Sequence, residues 1–194
     1  MSDYKELLGV LSVLCALIAY ILYLRDIFLH HTKPHAFSWL IWALLAGVAF
    51  AAQYTGNAGA GSWVTFTDVF LCTLIFVIAL WIGEKSYVLL DWISLFAGLL
   101  SLVLWWFTKT PTLSVILITV VDYCGFFPTF RKSYSKPWEE SASLFFLSGL
   151  KYTAAFFALS AYSLSTALYI GALIPINVIL AVMILLRRNL VQKQ

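Results

Sequence analysis

The sequence predicts an all-α membrane protein with seven transmembrane helices, and three observations support this. Hydrophobic residues make up 62% of the chain and charged residues 11%, a balance far outside the range of soluble domains. Apolar runs of about 20 residues, the length that crosses a bilayer, recur along the chain. The third observation is an internal repeat. The apolar runs fall at 7–24, 38–54, 63–82, 87–107, 112–130, 141–162 and 165–186.

The repeat relates residues 20–38 to residues 123–141 at a constant offset, without a gap. It places Tyr20 on Tyr123, Lys33 on Lys136, Pro34 on Pro137, and Ser38 on Ser141. In each copy an apolar helix end is followed by a basic Lys-Pro turn and then by a serine that begins the next apolar run. Three spans therefore form one copy and three the other, with the fourth span as a linker (3-1-3). The predicted units are a first triple-helix bundle at 1–85, a linker helix at 86–109 and a second bundle at 110–194.

The linker span has a consequence for orientation. An odd number of spans per copy would invert the second copy, and one extra span restores parallel copies related by an axis along the membrane normal. Basic residues collect after spans one, three, five and seven, whereas the opposite side holds only Lys5 and Lys109. This bias predicts an outer N-terminus and a cytoplasmic C-terminus. Short loops without an appended domain favour a bacterial inner membrane. Basic residues at helix ends suit lipid headgroups and offer no face for nucleic acid.

Aromatic and histidine residues near the predicted cytoplasmic ends have ordinary interpretations. Trp39 and Trp42 are assigned to the aromatic belt at headgroup level. Three histidines occupy the first cytoplasmic turn: His30, His31 and His35. The last two have i,i+4 spacing, but Pro34 separates them and no acidic or thiol ligand accompanies them. We expect a solvated turn, with no metal site and no cofactor.

The second copy carries the sequence Phe127-Pro128-Thr129-Phe130-Arg131-Lys132, followed by Lys136 and Ser141. With the 3-1-3 plan, this resembles the PQ-loop and SWEET transporter superfamily, Thr129 standing for the glutamine of the Pro-Gln pair. In the first copy, Arg25-Asp26 occupy the matching positions. The resemblance implies alternating access, in which the two triple-helix bundles rock about a central site and bend at proline hinges. The residues assigned to these hinges and to the motif are Pro34, Pro128, Thr129, Pro137 and Pro175.

Ionisable groups deep in a bilayer are costly, so they are the leading candidates for a site. Asp122 and Lys151 lie at matched depths on consecutive predicted helices, and we expect them to be in contact or bridged by one water. The alternatives are an ion pair that only sets helix register and a polar site facing a cavity. Asp68 lies about two turns from the predicted outer surface, where it lines an outer vestibule. The SWEET resemblance implies a substrate-holding role for Asn177, whose repeat mate is Leu74; a bond to a neighbouring helix is the alternative.

These features predict a membrane transporter for a small polar solute, with proton coupling as an option. A carboxylate, an ammonium and an amide suit a zwitterion. The alternative is a non-transporting membrane receptor or sorting factor on the same fold. No catalytic motif occurs on any span, so an enzyme is not expected. The partners expected are lipid and a small solute, and self-association into a homo-oligomer is left open.

Overall fold

The computed structural model describes residues 3–108 and 110–191, so Lys109 and Lys193 lie outside the described residues. All regular structure in these residues is helical, which confirms the predicted all-α class. Short 3-10 turns occupy Gly59–Ser62 and Pro137–Glu139. The helices are α1 (Asp3–Phe28), α2 (Ala36–Thr55), α3 (Trp63–Ile82), α4 (Leu89–Thr108), α5 (Pro111–Ser135), α6 (Ala142–Ala158) and α7 (Leu164–Leu190).

The surface of this helical assembly is strongly apolar. Ile21, Phe70 and Leu186, on three different helices, are each about 60% exposed. Such a surface is unfavourable in water and matches the hydrocarbon of a bilayer. Five helical segments among the described residues are long and apolar enough to cross a membrane, and α6 is a shorter apolar helix. The chain is therefore an integral membrane protein by the length and composition of its helices.

Local sequence explains several helix boundaries. At the start of α7, Ser163 and Thr166 form a reciprocal capping box, which satisfies backbone N–H groups that have no partner within the helix. Pro111 occupies the first turn of α5, where its missing N–H costs nothing. Ser141 is the N-cap residue of α6, as the repeat predicts. Its counterpart Ser38 lies inside α2 instead, because that helix already begins two residues after Pro34.

The helices are not packed in chain order. Within the first three, α3 packs closely against both α1 and α2, whereas the backbones of α1 and α2 are farther apart. These two helices meet through side chains, with the Trp39 ring 6.0 Å from that of Tyr20 and 5.1 Å from that of Tyr23. The last three behave in the same way: α7 packs closely against α5 and α6, whose own backbones are farther apart and which meet through the Phe126 and Phe145 rings, 6.4 Å between centroids. The third helix of each set therefore lies between the first two.

Contacts between the two sets of helices are reciprocal. The α1–α6 contact has its counterpart in α5–α2, and the α2–α7 contact has its counterpart in α6–α3. Helix α4 packs against α5 and α2. The ends also correspond: Thr55 and Ala158, which close α2 and α6, are separated by the same 103 residues as Tyr20 and Tyr123. Six helices thus surround a common centre.

Two ends of the assembly are used below. The Lys-Pro end carries the turns with Lys33-Pro34 and Lys136-Pro137. The glycine end carries the α2–α3 connection, with Gly56, Gly59 and Gly61, and the α6–α7 connection at 159–163. The helices run between these two ends, and the centre of the molecule lies between them.

Candidate functional site

A small cavity lies at the centre of the six helices. Its volume is about 40 Å³, which is room for roughly two or three water molecules. All four polar residues predicted from the sequence contribute to its lining: Asp68 from α3, Asp122 from α5, Lys151 from α6 and Asn177 from α7. Asp68 is only 1% exposed, so it belongs to this centre and not to an outer vestibule as predicted.

Asp68 and Lys151 form a buried ion pair. Their carboxylate oxygen and Nζ are 2.5 Å apart, and both side chains are almost fully buried. Two tyrosine hydroxyls donate to the same carboxylate, Tyr20 at 3.0 Å and Tyr152 at 2.7 Å. A buried ion pair is tolerated when further hydrogen bonds satisfy its remaining acceptors, and these two hydroxyls do so.

The two tyrosine rings also enclose the ammonium group. Lys151 Nζ lies 4.7 Å from the ring centroids of both Tyr20 and Tyr152. The Tyr20 hydroxyl is in addition 3.2 Å from Cys72 Sγ, which also lines the cavity. Ring faces attract a cation, so the charge of Lys151 is compensated both by Asp68 and by the rings.

Of the two predicted arrangements, direct contact between Asp122 and Lys151 is wrong, because neither Asp122 oxygen has a partner among the described residues; a bridge through one water stays a prediction. That prediction assumed that helices joined by a short turn are neighbours. In the structure α7 lies between α5 and α6, whereas α3 packs against α6, so the carboxylate that reaches Lys151 is Asp68. Asp122 lies at the same depth as Lys151, so both line the cavity, but the two side chains are not hydrogen-bonded to each other.

Asp122 is left without a partner among the described residues. The side chain is 1% exposed, and neither carboxylate oxygen has a hydrogen-bond donor there. The indole Nε1 of Trp42, another cavity residue, also has no acceptor in the part of the chain that the structure describes. Buried polar groups without partners are rare and costly in folded proteins. Among the described residues, the Asp122 carboxyl oxygens and the Trp42 N–H of this cavity are therefore free to form hydrogen bonds with a ligand.

Asn177 is 3% exposed, and its Nδ2 donates to the backbone oxygen of Leu173 at 2.8 Å. The bond is to its own helix, one turn earlier, and not to a neighbouring helix. The side chain also lines the cavity beside Tyr169 of the same helix.

An aromatic wall completes the cavity. Trp42 is its centre, with ring centroids 5.0 Å from Trp39, 4.8 Å from Phe126 and 6.5 Å from Phe145. Trp39 and Trp42 are 3% and 9% exposed, so their assignment to the headgroup belt is wrong. Spaced at i,i+3, they share the buried face of α2. Tyr20 and Tyr152 were also missed as site residues, although Tyr20 marks the repeat and Tyr152 follows Lys151 directly.

The motif residues occupy two kinds of position. Pro34 and Pro137 lie in turns at the Lys-Pro end, and Pro128 and Pro175 lie inside helices α5 and α7. Just after Pro128, the hydroxyl of Thr129 donates to Ser38 Oγ at 3.2 Å, which joins α5 to α2. Bending at these prolines stays a prediction.

Charged groups join the two Lys-Pro turns to each other. Lys132 is 4% exposed, and its ammonium donates to the carbonyl oxygen of Lys33, to the carbonyl oxygen of Glu139 at 2.9 Å and to the Glu140 carboxylate at 3.2 Å. Arg188 of α7 donates to the backbone oxygen of Glu140 at 2.6 Å. The Lys33 N–H donates to the backbone oxygen of Glu139 at 3.2 Å, so the first turn is bonded directly to the second.

A second charged cluster at this end contains His35. Asp91 accepts from the Val88 N–H at 2.9 Å and thereby caps α4, and it also pairs with Arg131 at 3.0 Å. His35 Nε2 is 3.4 Å from the same carboxylate, and this histidine is 1% exposed. Burial lowers the pKa of His35 by more than Asp91 raises it. The solvated turn predicted for the histidines is therefore wrong for His35, whereas His30 and His31 are exposed. No group of three potential metal ligands occurs in residues 3–108 and 110–191.

The glycine end is joined mainly by close packing and backbone bonds. The Ser160 N–H donates to the Ala58 carbonyl oxygen at 2.9 Å, and Lys5 Nζ donates to the Leu159 carbonyl oxygen at 2.7 Å. A Cβ at Gly61 would stand 2.6 Å from Leu159 Cδ2 and 2.9 Å from the Ala155 carbonyl oxygen. The absent side chain is what allows the two connections to approach so closely.

Comparisons of the chain with protein-family models, with curated proteins and with solved structures find no match.

Proposed function

We propose that this protein transports a small polar solute across a membrane by alternating access. The single observation that carries the proposal is the central cavity, in which buried polar groups from four helices face one another midway between two separately joined ends. Polar groups at this depth are costly in a membrane protein and characteristically mark solute pathways. The resemblance to the PQ-loop and SWEET superfamily points to the same function.

The proposal includes seven spans in a 3-1-3 arrangement of parallel bundles. The reciprocal packing pattern supports it, because exchanging α1, α2 and α3 with α5, α6 and α7 exchanges each inter-set contact with another observed contact. A two-fold relation along the membrane normal has this property. In this scheme α4 is the linker that keeps the two bundles parallel.

The proposed orientation puts the Lys-Pro end in the cytoplasm of a bacterial cell and the glycine end outside. Arg131, Lys132, Arg187 and Arg188 all lie near the Lys-Pro end, as expected for a cytoplasmic side. The two ends then act as inner and outer closures of the cavity. Each solute passage requires one closure to open while the other holds.

Native Cys72 offers a test that needs no known substrate, because its sulfur lines the cavity and is 4% exposed. In a Cys15→Ser, Cys124→Ser background, a membrane-impermeant thiol reagent is applied to either face of oriented vesicles. A disulfide between cysteines at 58 and 160 locks the glycine end, and one between cysteines at 33 and 139 locks the Lys-Pro end. Both position pairs are joined by a backbone hydrogen bond, which suits a disulfide.

Alternating access predicts labelling of Cys72 from both faces without a lock, and only from the face opposite the lock when one end is closed. Labelling from one face only in the unlocked protein would contradict transport and favour a receptor that opens to a single side. Reduction of the disulfide serves as the control, since it should restore labelling from both faces.

A further inference from the structure

The charges in the cavity are not equally available to a solute. Lys151 is compensated by Asp68 and by two aromatic rings, and Asp68 in turn receives two tyrosine hydroxyls. Asp122 has no partner among the described residues. Among the described residues, the carboxyl group in the cavity that has no partner is therefore Asp122, and a cation that donates hydrogen bonds would both satisfy its oxygens and stabilise its ionised form.

We infer that the cavity binds a small protonated primary amine that also carries a hydrogen-bond acceptor, such as an amino alcohol, with its ammonium on Asp122. This inference rests on the proposed function and names the substrate class of its site. It differs from the zwitterion expected from the sequence. A solute carboxylate would have to displace Asp68 from Lys151, leaving a second buried carboxylate unpaired.

The position of Trp42 supports the second half of this description. Its Nε1 lies 3.6 Å from the point where a Cβ at Gly125 would stand, so the indole N–H is directed toward α5 three residues beyond Asp122. Residues three apart share one face of a helix. An acceptor on the solute is therefore placed beside Trp42 when its ammonium is on Asp122.

The aromatic wall suits the same ligand. Trp42 and Phe126 stand with ring centroids 4.8 Å apart, and Phe126 follows Asp122 by four residues on the same helix. Ring faces near a carboxylate attract an ammonium more strongly than a neutral group. The volume of about 40 Å³ restricts the solute to a few non-hydrogen atoms in this closed conformation.

Four two-carbon probes separate charge from shape: ethanolamine (a cation with a hydroxyl), ethylene glycol (neutral), glycine (a zwitterion) and glycolate (an anion). Binding to the purified protein is measured by calorimetry and by thermal stabilisation, with each probe at about 10 mM. We expect ethanolamine alone to bind. In Asp122→Asn, which keeps the shape and removes the charge, its affinity should fall roughly 30-fold or more.

Two further variants control the interpretation. Glu6→Gln removes an exposed carboxylate on α1, and it should leave ethanolamine binding unchanged. Trp42→Phe keeps the ring and removes the N–H, so it should weaken ethanolamine more than it weakens ethylamine, which has no acceptor. Asp122→Asn should fold, because it replaces a buried ionisable carboxyl group by a neutral group of the same shape.

The outcomes separate this inference from the proposed function. Ethanolamine binding that depends on Asp122, in a protein whose Cys72 is labelled from one face only, keeps the amine site and removes transport. Two-sided labelling of Cys72, with glycine or ethylene glycol bound equally by wild type and Asp122→Asn, keeps transport and overturns the amine site. Absence of ethanolamine binding at about 10 mM, or unchanged binding by Asp122→Asn, also overturns it.

Discussion

The two ends of the molecule are joined by different physical means. At the Lys-Pro end, one buried cation bridges the two turns: Lys132 donates to acceptors at Lys33, Glu139 and Glu140. At the glycine end, small residues let backbone approach backbone, as at Gly61 against Leu159. Charge-assisted bonds respond to pH, salt and neutralising substitutions, whereas close packing responds to added volume. The same overall fold therefore carries two closures that can be disturbed independently.

The largest effect is expected from removing the central cation of the Lys-Pro end. Lys132→Met should lower the free energy of unfolding by about 3–5 kcal/mol, because it leaves the buried Glu140 carboxylate without its ammonium partner. Detergent-titrated unfolding of the purified protein measures this. Lys136→Met is the matched control; its side chain is 52% exposed, so its pairs with Glu84 and Glu139 should contribute at most about 1 kcal/mol. Equal losses in the two variants would contradict the assignment of Lys132.

At the glycine end, an added side chain should destabilise the closure, as removal of a charge does at the Lys-Pro end. Gly61→Val should destabilise the protein by about 1–3 kcal/mol and speed labelling of Cys72 from the glycine end, since the new atoms meet backbone at Leu159 and Ala155. Gly47→Ala is the control, because its new Cβ would meet nothing within 4 Å. It should be neutral or stabilise α2 by roughly 0.5–1 kcal/mol. A destabilised Gly47→Ala with a tolerated Gly61→Val would reverse the interpretation.

A change of pH should act on the Lys-Pro end through His35. Asp91, Arg131 and Lys132 act on it electrostatically, and the Tyr87 ring lies 5.4 Å away. Because its folded-state pKa lies below the ordinary histidine value of about 6.5, the unfolded state binds more protons just below that pH. The contribution of neutral His35 to stability is thus present above about pH 6.5 and is lost as the pH falls toward the folded-state pKa.

His35→Gln should remove this part of the pH dependence. Unfolding measured from about pH 8 to pH 5 in both proteins provides the test. The ratio of the Cys72 labelling rates of His35→Gln and wild type, measured from the glycine end, should stay constant over this range. The ratio is used because the rate itself falls with the thiolate fraction as the pH falls. A wild-type protein whose stability rises as the pH is lowered from about 6.5 toward the folded-state pKa of His35 would contradict the prediction.

Salt should produce the smallest difference between the two ends. The pairs Lys33–Glu139 and Lys136–Glu84 have half-exposed lysines, so they are partly screened by ions. Raising sodium chloride from about 0.05 M to 0.5 M should speed Cys72 labelling from the Lys-Pro end by less than about threefold. Labelling from the glycine end should be unaffected. A larger salt effect at the glycine end would show that packing does not dominate there.

Helix positions were readable from the sequence to within a few residues for most elements. Apolar runs and the Pro and Ser residues beside them are local signals, so α2, α3 and α4 lie close to their predicted spans. The ends of α5 were harder. The predicted span stops at 130, whereas the helix continues through Arg131 and Lys132 to Ser135. Basic residues end a hydrophobic run without ending a helix, because their charged side chains can be satisfied past the hydrocarbon. Arg131 bonds to Asp91 there, and Lys132 bonds to Glu140.

The tryptophans show a second limit of sequence reasoning. In a helix that is apolar all round, hydropathy does not identify the buried face, so Trp39 and Trp42 could not be distinguished from belt residues. Their burial follows from the helices around α2, which packs closely on α3, α4, α5 and α7 and receives the Tyr20 and Tyr23 rings of α1 on Trp39. Helix order within each set of three, which the short loops do not reveal, decides those neighbours.

By itself the sequence determined the all-α class, the apolar helices that suit a membrane, and which rare polar residues lie deep within them. Asp68, Asp122, Lys151 and Asn177 stand out because ionisable and amide groups in apolar runs are costly wherever they point. Only the tertiary structure decided their partners. With α7 between α5 and α6, Lys151 pairs with Asp68, and Asp122 has no partner among the described residues. Bonds at the centre depend on which helices touch, and contact between helices is decided by packing and not by chain order.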